Sequence, residues 1–277
     1  LYVYSHATLT RNFGQLDEAL SPLDHTIHFA VKANSNLGVL RILANAGSGF
    51  DIVSGGELQR VIAAGGDPKK CVFAGVGKTE EDIELALKKG IYAFSAESEP
   101  ELARINKVAR RLKKKAPIAV RVNPNVDAKT HAKITTGTYE NKFGIAFEEV
   151  EGVYDRAAKL KNLHLRGIQM HIGSQLTEVG PFEQAVKKVA PLAKRLAAAM
   201  LWNRAGQTTR LACIRASAKA NWPWSFCWRR HSRQQRNDCV RGFFTAQSKG
   251  GDGQTGIAPT RLRPYGSRPA GAVVLLF

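Results

Sequence analysis

A lysine ends the apolar run Thr26-Ile-His-Phe-Ala-Val-Lys32 and is the residue of this sequence best suited to covalent chemistry. Burying an ammonium without a partner is costly, and desolvation favours the neutral amine, the form that attacks an aldehyde. The plain alternative is a lysine that snorkels to the rim of its domain. Further polar residues stand in similar positions: Asp51 and Ser54 finish Gly49-Phe-Asp-Ile-Val, Arg121 finishes Ile-Ala-Val-Arg, and His171 finishes Gln-Met-His, with Ser174 just beyond Gly173. A lysine, a carboxylate, an arginine and a histidine thus stand at the ends of four apolar runs.

Those residues need elements that bring them together. Short β-rich runs alternate with helical patterns over residues 1–199, which predicts parallel β/α units. Six strands are expected, at Thr26–Lys32, Gly49–Val53, Cys71–Ala74, Ile91–Ser95, Ile118–Val122 and Leu163–His171. Helix starts are legible at Ser54-Gly-Gly-Glu57, at Thr79-Glu-Glu-Asp82 and at Ser98 ahead of Pro100; Gly65-Gly66 and Gly90 supply stops. The fold class that follows is α/β, an incomplete (β/α)8 barrel of about six strands. In such a barrel the C-terminal strand ends form the active face, so the chemistry-bearing residues converge on one mouth.

Other polar residues have simpler readings. Arg110 to Lys115 is a basic run at the end of a helix, where cations suit the negative end of the dipole. Glu57 stands three residues after Ser54, so helix capping accounts for it as well as a site role does. His28 alternates with apolar neighbours and reads as a core or supporting histidine, and His131 falls in a loop. His164 has no companion at metal-ligand spacing, and no metal site is expected.

Phe29-Ala-Val-Lys-Ala-Asn34 resembles the cofactor-lysine motif of the pyridoxal phosphate (PLP) enzymes built on the alanine racemase-like barrel. Gly49-Phe-Asp-Ile-Val-Ser-Gly-Gly-Glu-Leu58, Arg121-Val-Asn-Pro-Asn125, Thr136-Gly, Lys142-Phe-Gly144 and His171-Ile-Gly-Ser-Gln-Leu176 follow in that group's order. Over about residues 1–198 the combination resembles the diaminopimelate decarboxylase family more than the ornithine and arginine decarboxylases. The resemblance implies PLP as cofactor, held by Lys32 as a Schiff base, with His171 against the ring and Ser174 on the phosphate. It implies Arg121 near the phenolic oxygen with Asp51 as its orienting partner, and keeps Glu57 as a possible site residue. It also implies decarboxylation of meso-2,6-diaminoheptanedioate to L-lysine by a homodimer with shared active sites.

Composition divides the chain. Residues 1–199 carry 28 Lys+Arg against 21 Asp+Glu, whereas the last 78 residues carry 13 against 2, so +11 of the formal charge of +18 lies there. All four Trp and three of four Cys (Cys213, Cys227, Cys239) fall in that segment, and Trp222-Pro-Trp-Ser-Phe-Cys-Trp228 follows neither helical nor strand periodicity. Residues 199–277 are therefore expected to be a non-homologous, disordered tail from a shifted reading frame. The glycine-rich phosphate loop, the Glu-Pro-Gly-Arg strand and the second β-domain of the family do not appear in it, and the chain itself is expected to be inactive. The opening at Leu1 on the strand-like Leu-Tyr-Val-Tyr-Ser, rather than at Met, suggests lost N-terminal sequence. No apolar run spans a bilayer and no secretory signal stands at the start, which favours the cytoplasm and no membrane partner. Two other readings compete: a non-catalytic, single-barrel PLP-binding protein, and a nucleic-acid module in the tail that no motif supports.

Overall fold

The computed structural model describes residues 2–126, 143–173, 179–205 and 274–275. After an opening helix α1 (His6–Leu20), the chain runs β1 (His28–Ala30), α2 (Leu37–Asn45), β2 (Gly49–Ile52), α3 (Gly55–Ala63), β3 (Cys71–Phe73), α4 (Glu80–Lys89), β4 (Ala93–Ala96), α5 (Glu99–Arg111) and β5 (Ala116–Asn123). It continues with β6 (Ile145–Ala146), α6 (Val150–Ala158), β7 (Leu163–Met170), α7 (Gly180–Ala205) and β8 (Val274–Leu275). The sheet is parallel throughout, ordered β1-β2-β3-β4-β5-β7-β8, with β6 paired to β5. Among the described residues β1 pairs only with β2, so the sheet does not close on itself. The α/β, incomplete-barrel architecture is the expected one.

Apart from a register shift between Ile118 and Ala119 in the β5–β7 pair, the strands stay in step, so one face can be followed across the sheet. His28 lies beside Gly49, Ala30 beside Asp51, Asp51 beside Val72 and Val72 beside Ala93. Ser95 continues the row to Ala119, which neighbours Gly167, and Arg121 lies beside Gln169. This inner face is small and polar. The opposite face carries Phe50, Ile52, Phe73, Phe94, Ile118, Val120, Val122 and Ile168, all in one apolar cluster with Leu58, Val61, Ile83, Ile105 and Val153 of the helices. Val72, Ala93 and Ala119 are equally buried yet stand outside that cluster, as their facing requires.

The expected helix starts are present. Ser54 accepts from Glu57 N–H, Thr79 and Asp82 form a reciprocal capping box, and Ser98 caps α5 with Pro100 in its first turn. Gly90 ends α4 at φ +70°, where a side chain would be strained. The basic run ends α5 as expected: Arg111 reaches Glu80 and Glu84, and Lys114 donates to Leu87 O.

Two expectations are corrected. Tyr2–Tyr4 form no strand and lie exposed; the first element is α1, capped by Ser5. The sheet gains the two-residue strands β6 and β8 beyond the six expected, both too short to mark a period in sequence. Within residues 199–277, α7 runs on to Ala205 through good helix formers, Ala-Ala-Ala-Met-Leu, and Val274–Leu275 pairs with Gln169–Met170. Those residues are apolar and suit the open edge of β7.

Candidate functional site

The mouth is assembled from the C-terminal ends of β1, β2, β4, β5 and β7. Immediately after Ala30 the chain leaves the sheet in a 3-10 turn, Val31–Ala33, which lifts Lys32 above the last residue paired to Asp51. Lys32 is exposed, so of the two positions open to it from sequence it takes the rim rather than a buried strand end. The nearby Asp51 is half-buried, and its Oδ1 has no hydrogen-bond partner. Burial pushes its carboxyl up from 3.8 to about 7, with Glu57 adding to the rise and the cations Lys32, Arg121 and Lys78 opposing it. A carboxyl kept dry beside three cations invites an additional positive or hydrogen-bonding group.

Arg121 is buried, and Glu97 orients it, not Asp51 as the sequence suggested. Both Glu97 carboxylate oxygens lie 2.9 Å from Arg121 Nη1, and the guanidinium sits 5.3 Å from the Phe143 ring centroid. Glu97 lies one residue past β4, across the β4–β5 pair, whereas Asp51 is separated from Arg121 by β3 and β4. Gly144 closes over this arginine: a Cβ there would stand 3.0 Å from Arg121 O, and its φ of +83° excludes most residues independently. That contact gives the Phe143-Gly144 pair a physical reason.

Glu57 serves the backbone. Its Oε2 accepts from Val53 N–H at 2.7 Å, while its own N–H donates to Ser54. His171 follows β7 directly and so stands at the mouth, beyond Gln169 on the inner face. Ser174, His131 and the Thr136-Gly to Lys142 stretch lie outside the described residues. His28 occupies the inner face one layer below Asp51, beside Gly49 and 6.3 Å from the Tyr92 ring. Burial lowers its imidazole from 6.5 to about 4.

Sequence reading missed Glu97, Lys78 and Glu101. Lys78 is buried, and its Nζ reaches Gly75 O at 2.5 Å, Ser95 O at 2.8 Å and Glu101 Oε1 at 2.6 Å. Glu101 Oε2 accepts from Glu97 N–H at 2.6 Å. Glu101 looks like a first-turn acid of α5, three residues after Ser98, and that surface role conceals it. Glu97 directly follows the strand that ends in Ala96, the same signal that singled out Lys32 and Arg121.

The family described as pyridoxal-dependent decarboxylase, pyridoxal binding domain, matches residues 6–201. The diaminopimelate decarboxylase of Vibrio cholerae is 57% identical over 198 residues, 72% of this chain and 48% of that protein. Its Pseudomonas aeruginosa counterpart is 55% identical over 196 residues, 71% of this chain and 47% of that protein. A crystal structure of the Helicobacter pylori enzyme complexed with L-lysine superposes with a TM-score of 0.69 at 44% identity, covering 70% of this chain and 50% of that one. The chain thus spans about half the length of the curated relatives it matches.

Proposed function

The chain belongs to the pyridoxal-dependent decarboxylases through their pyridoxal binding domain, and from that premise we propose that it forms the cofactor-holding part of a diaminopimelate decarboxylase. The observation that carries this reading is the unpartnered, buried Asp51 Oδ1 at a mouth that also holds Lys32 and a braced Arg121. These residues suit PLP. Lys32 supplies a reachable amine for the aldehyde, Arg121 a fixed cation for the phenolic oxygen, and Asp51 a carboxyl whose lone pairs lack a donor. Ala30, Ala119 and Gly167 on the same face leave room for a flat ring.

When bound, PLP supplies a sink for the electrons left as carbon dioxide departs from an amino acid. The protein's part is to aim and insulate. Lys32 would hold the cofactor through its amine. Arg121, held by Glu97, keeps one charge in one place, and Asp51 orients its neighbours at the rim. His171 would lie against the ring, and Ser174 would take the phosphate next to Gly173, whose φ of +138° favours glycine. Glu57 contributes by fixing the Val53 turn that follows Asp51. The substrate proposed is meso-2,6-diaminoheptanedioate, giving L-lysine, in a homodimer with shared sites; the identities of 55% and 57% to enzymes of that name support it.

The proposed domain boundary lies near residue 199. The family match ending at residue 201 supports it, as does the loss of acidic residues beyond that point. On this reading residues 199–277 add nothing to cofactor binding, and the chain alone does not turn over. The direct test is to incubate the chain with PLP, reduce with borohydride and map the peptides. A single adduct on Lys32 is expected; an adduct on another lysine, or none, rejects the assignment.

A further inference from the structure

Glu97 holds Arg121, and the question is what holds Glu97. Its carboxylate receives one backbone donor, Gly75 N–H at 3.1 Å on Oε1, and its own N–H is tied to Glu101 Oε2 at 2.6 Å. Both supports return to one buried ammonium. Lys78 Nζ fixes the Gly75 turn through Gly75 O, where φ is +87°, and fixes Glu101 through Oε1. Its third acceptor, Ser95 O, secures the strand residue whose hydroxyl donates to Gln169 Oε1 at 3.0 Å, and Gln169 is the register neighbour of Arg121. Lys78 thus reaches the arginine from β3, β4 and β7 through intermediate groups.

Charge explains why such a device is built at a cost. Lys78, Glu101, Glu97 and Arg121 alternate in sign, and the Lys78–Glu101 side chains are 0% and 6% exposed. A buried ion pair is a weak source of stability, because desolvation offsets most of the attraction; here the ammonium ties three separate segments, at Gly75, Ser95 and Glu101, to one point. We propose that the buried Lys78–Glu101 pair is the positioning element of the mouth, setting Glu97 and through it the location of the Arg121 guanidinium. This deepens the functional reading above and rests on it for the meaning of Arg121, while the structural claim stands on the network itself.

The test uses the 277-residue chain. Lys78→Met with Glu101→Gln removes both charges together, keeps an acceptor for Glu97 N–H and leaves no lone buried ion. The readout is the guanidinium N–H resonance of Arg121, assigned by its disappearance in Arg121→Lys. The unaltered chain is expected to give a resolved, exchange-protected signal, and the double variant to lose it as Glu97→Gln does, with cooperative unfolding retained. Should the double variant not fold, Lys78→Arg keeps the charge but cannot set one nitrogen against three acceptors, and the same loss is expected. A protected Arg121 signal in the folded variant, or none in the unaltered chain, overturns the proposal. PLP affinity forms the second arm: the double variant should bind more weakly, and adding Glu97→Gln should weaken it no further, as expected for residues acting through one another. Additive losses count against the proposal. If the unaltered chain takes up no PLP at Lys32, the functional reading fails, and the Arg121 resonance still judges the ion pair.

Discussion

His28 and Asp51 occupy the same face of neighbouring strands, two residues apart along the barrel axis, and each buries a polar atom without a hydrogen-bond partner. Burial suppresses the charge of both. The imidazole falls to about 4, and the carboxyl rises to about 7. Their surroundings differ. Around Asp51 stand Lys32, Glu57, Arg121 and Lys78, while His28 meets the Phe50 backbone, Tyr92 and a single cation, Lys70. Desolvation is therefore common to the lower and upper layers of this barrel, and only the upper layer surrounds its orphan with groups that could answer an incoming ligand. A buried, unsatisfied polar atom does not mark a site unless fixed charges converge on it.

The sharpest way to break this contrast is to strip the upper layer of its order. Glu97→Leu leaves the Arg121 guanidinium buried without its carboxylate and Gly75 N–H without an acceptor. Loss of one partner of a buried pair costs about 3–5 kcal/mol, and denaturant unfolding of the variant should register a destabilisation of that size. A change below about 1 kcal/mol would mean that the arginine escapes to solvent, and that the upper layer is no more fixed than the lower.

Asp51→Asn acts in the opposite direction. The fold holds this carboxyl protonated to about pH 7 against an ordinary value of 3.8, so above that pH the wild-type chain carries an ion it disfavours. The amide variant should be more stable by about 2 kcal/mol at pH 8, part of the gain being offset by amide hydrogens that lack acceptors. PLP uptake should fall in the same variant. Stability rising while cofactor binding falls is the signature of a residue kept for function; a fall in both would assign Asp51 to the structure alone.

Much of this was legible in the sequence, and the failures follow a pattern. Helix starts at Ser54, Thr79 and Ser98 are local chemistry between residues three apart, and they stand where the sequence puts them. Alternation and spacing likewise gave the parallel sheet and the strand ends that carry Asp51 and Arg121. Pairings across strands were not legible. The family resemblance pairs Asp51 with Arg121, whereas the register sets Arg121 beside β4 and hence within reach of Glu97. Lys78 follows Gly75-Val-Gly and looks like a loop lysine; only the folding of β3, β4 and α5 around it reveals a buried ammonium. The rim position of Lys32 depended on a three-residue turn that no periodicity signals.

The smallest effect expected is also the one that compares the two layers most directly. For His28 the folded value of about 4 lies below the ordinary 6.5, so its contribution to stability is full above pH 6.5 and is lost as the pH falls through about 4. For Asp51 the folded value of about 7 lies above the ordinary 3.8, so its contribution is full below pH 3.8 and is lost as the pH rises through about 7. The two windows overlap and their slopes oppose, so the unaltered chain should owe these groups little net pH dependence from about pH 4 to 6.5. His28→Leu removes one limb, and the Asp51 limb should then make stability decline by about 1–2 kcal/mol as the pH is raised across that range, less than the full titration because the half-buried carboxyl keeps some contact with solvent. Asp51→Asn should tilt the profile the other way, and the double variant should flatten it again. Urea unfolding at half-unit pH steps reads all four profiles. Parallel slopes in the two single variants would mean that the imidazole and the carboxyl do not titrate as opposed partners of one interior, and the layered reading of the barrel would fail.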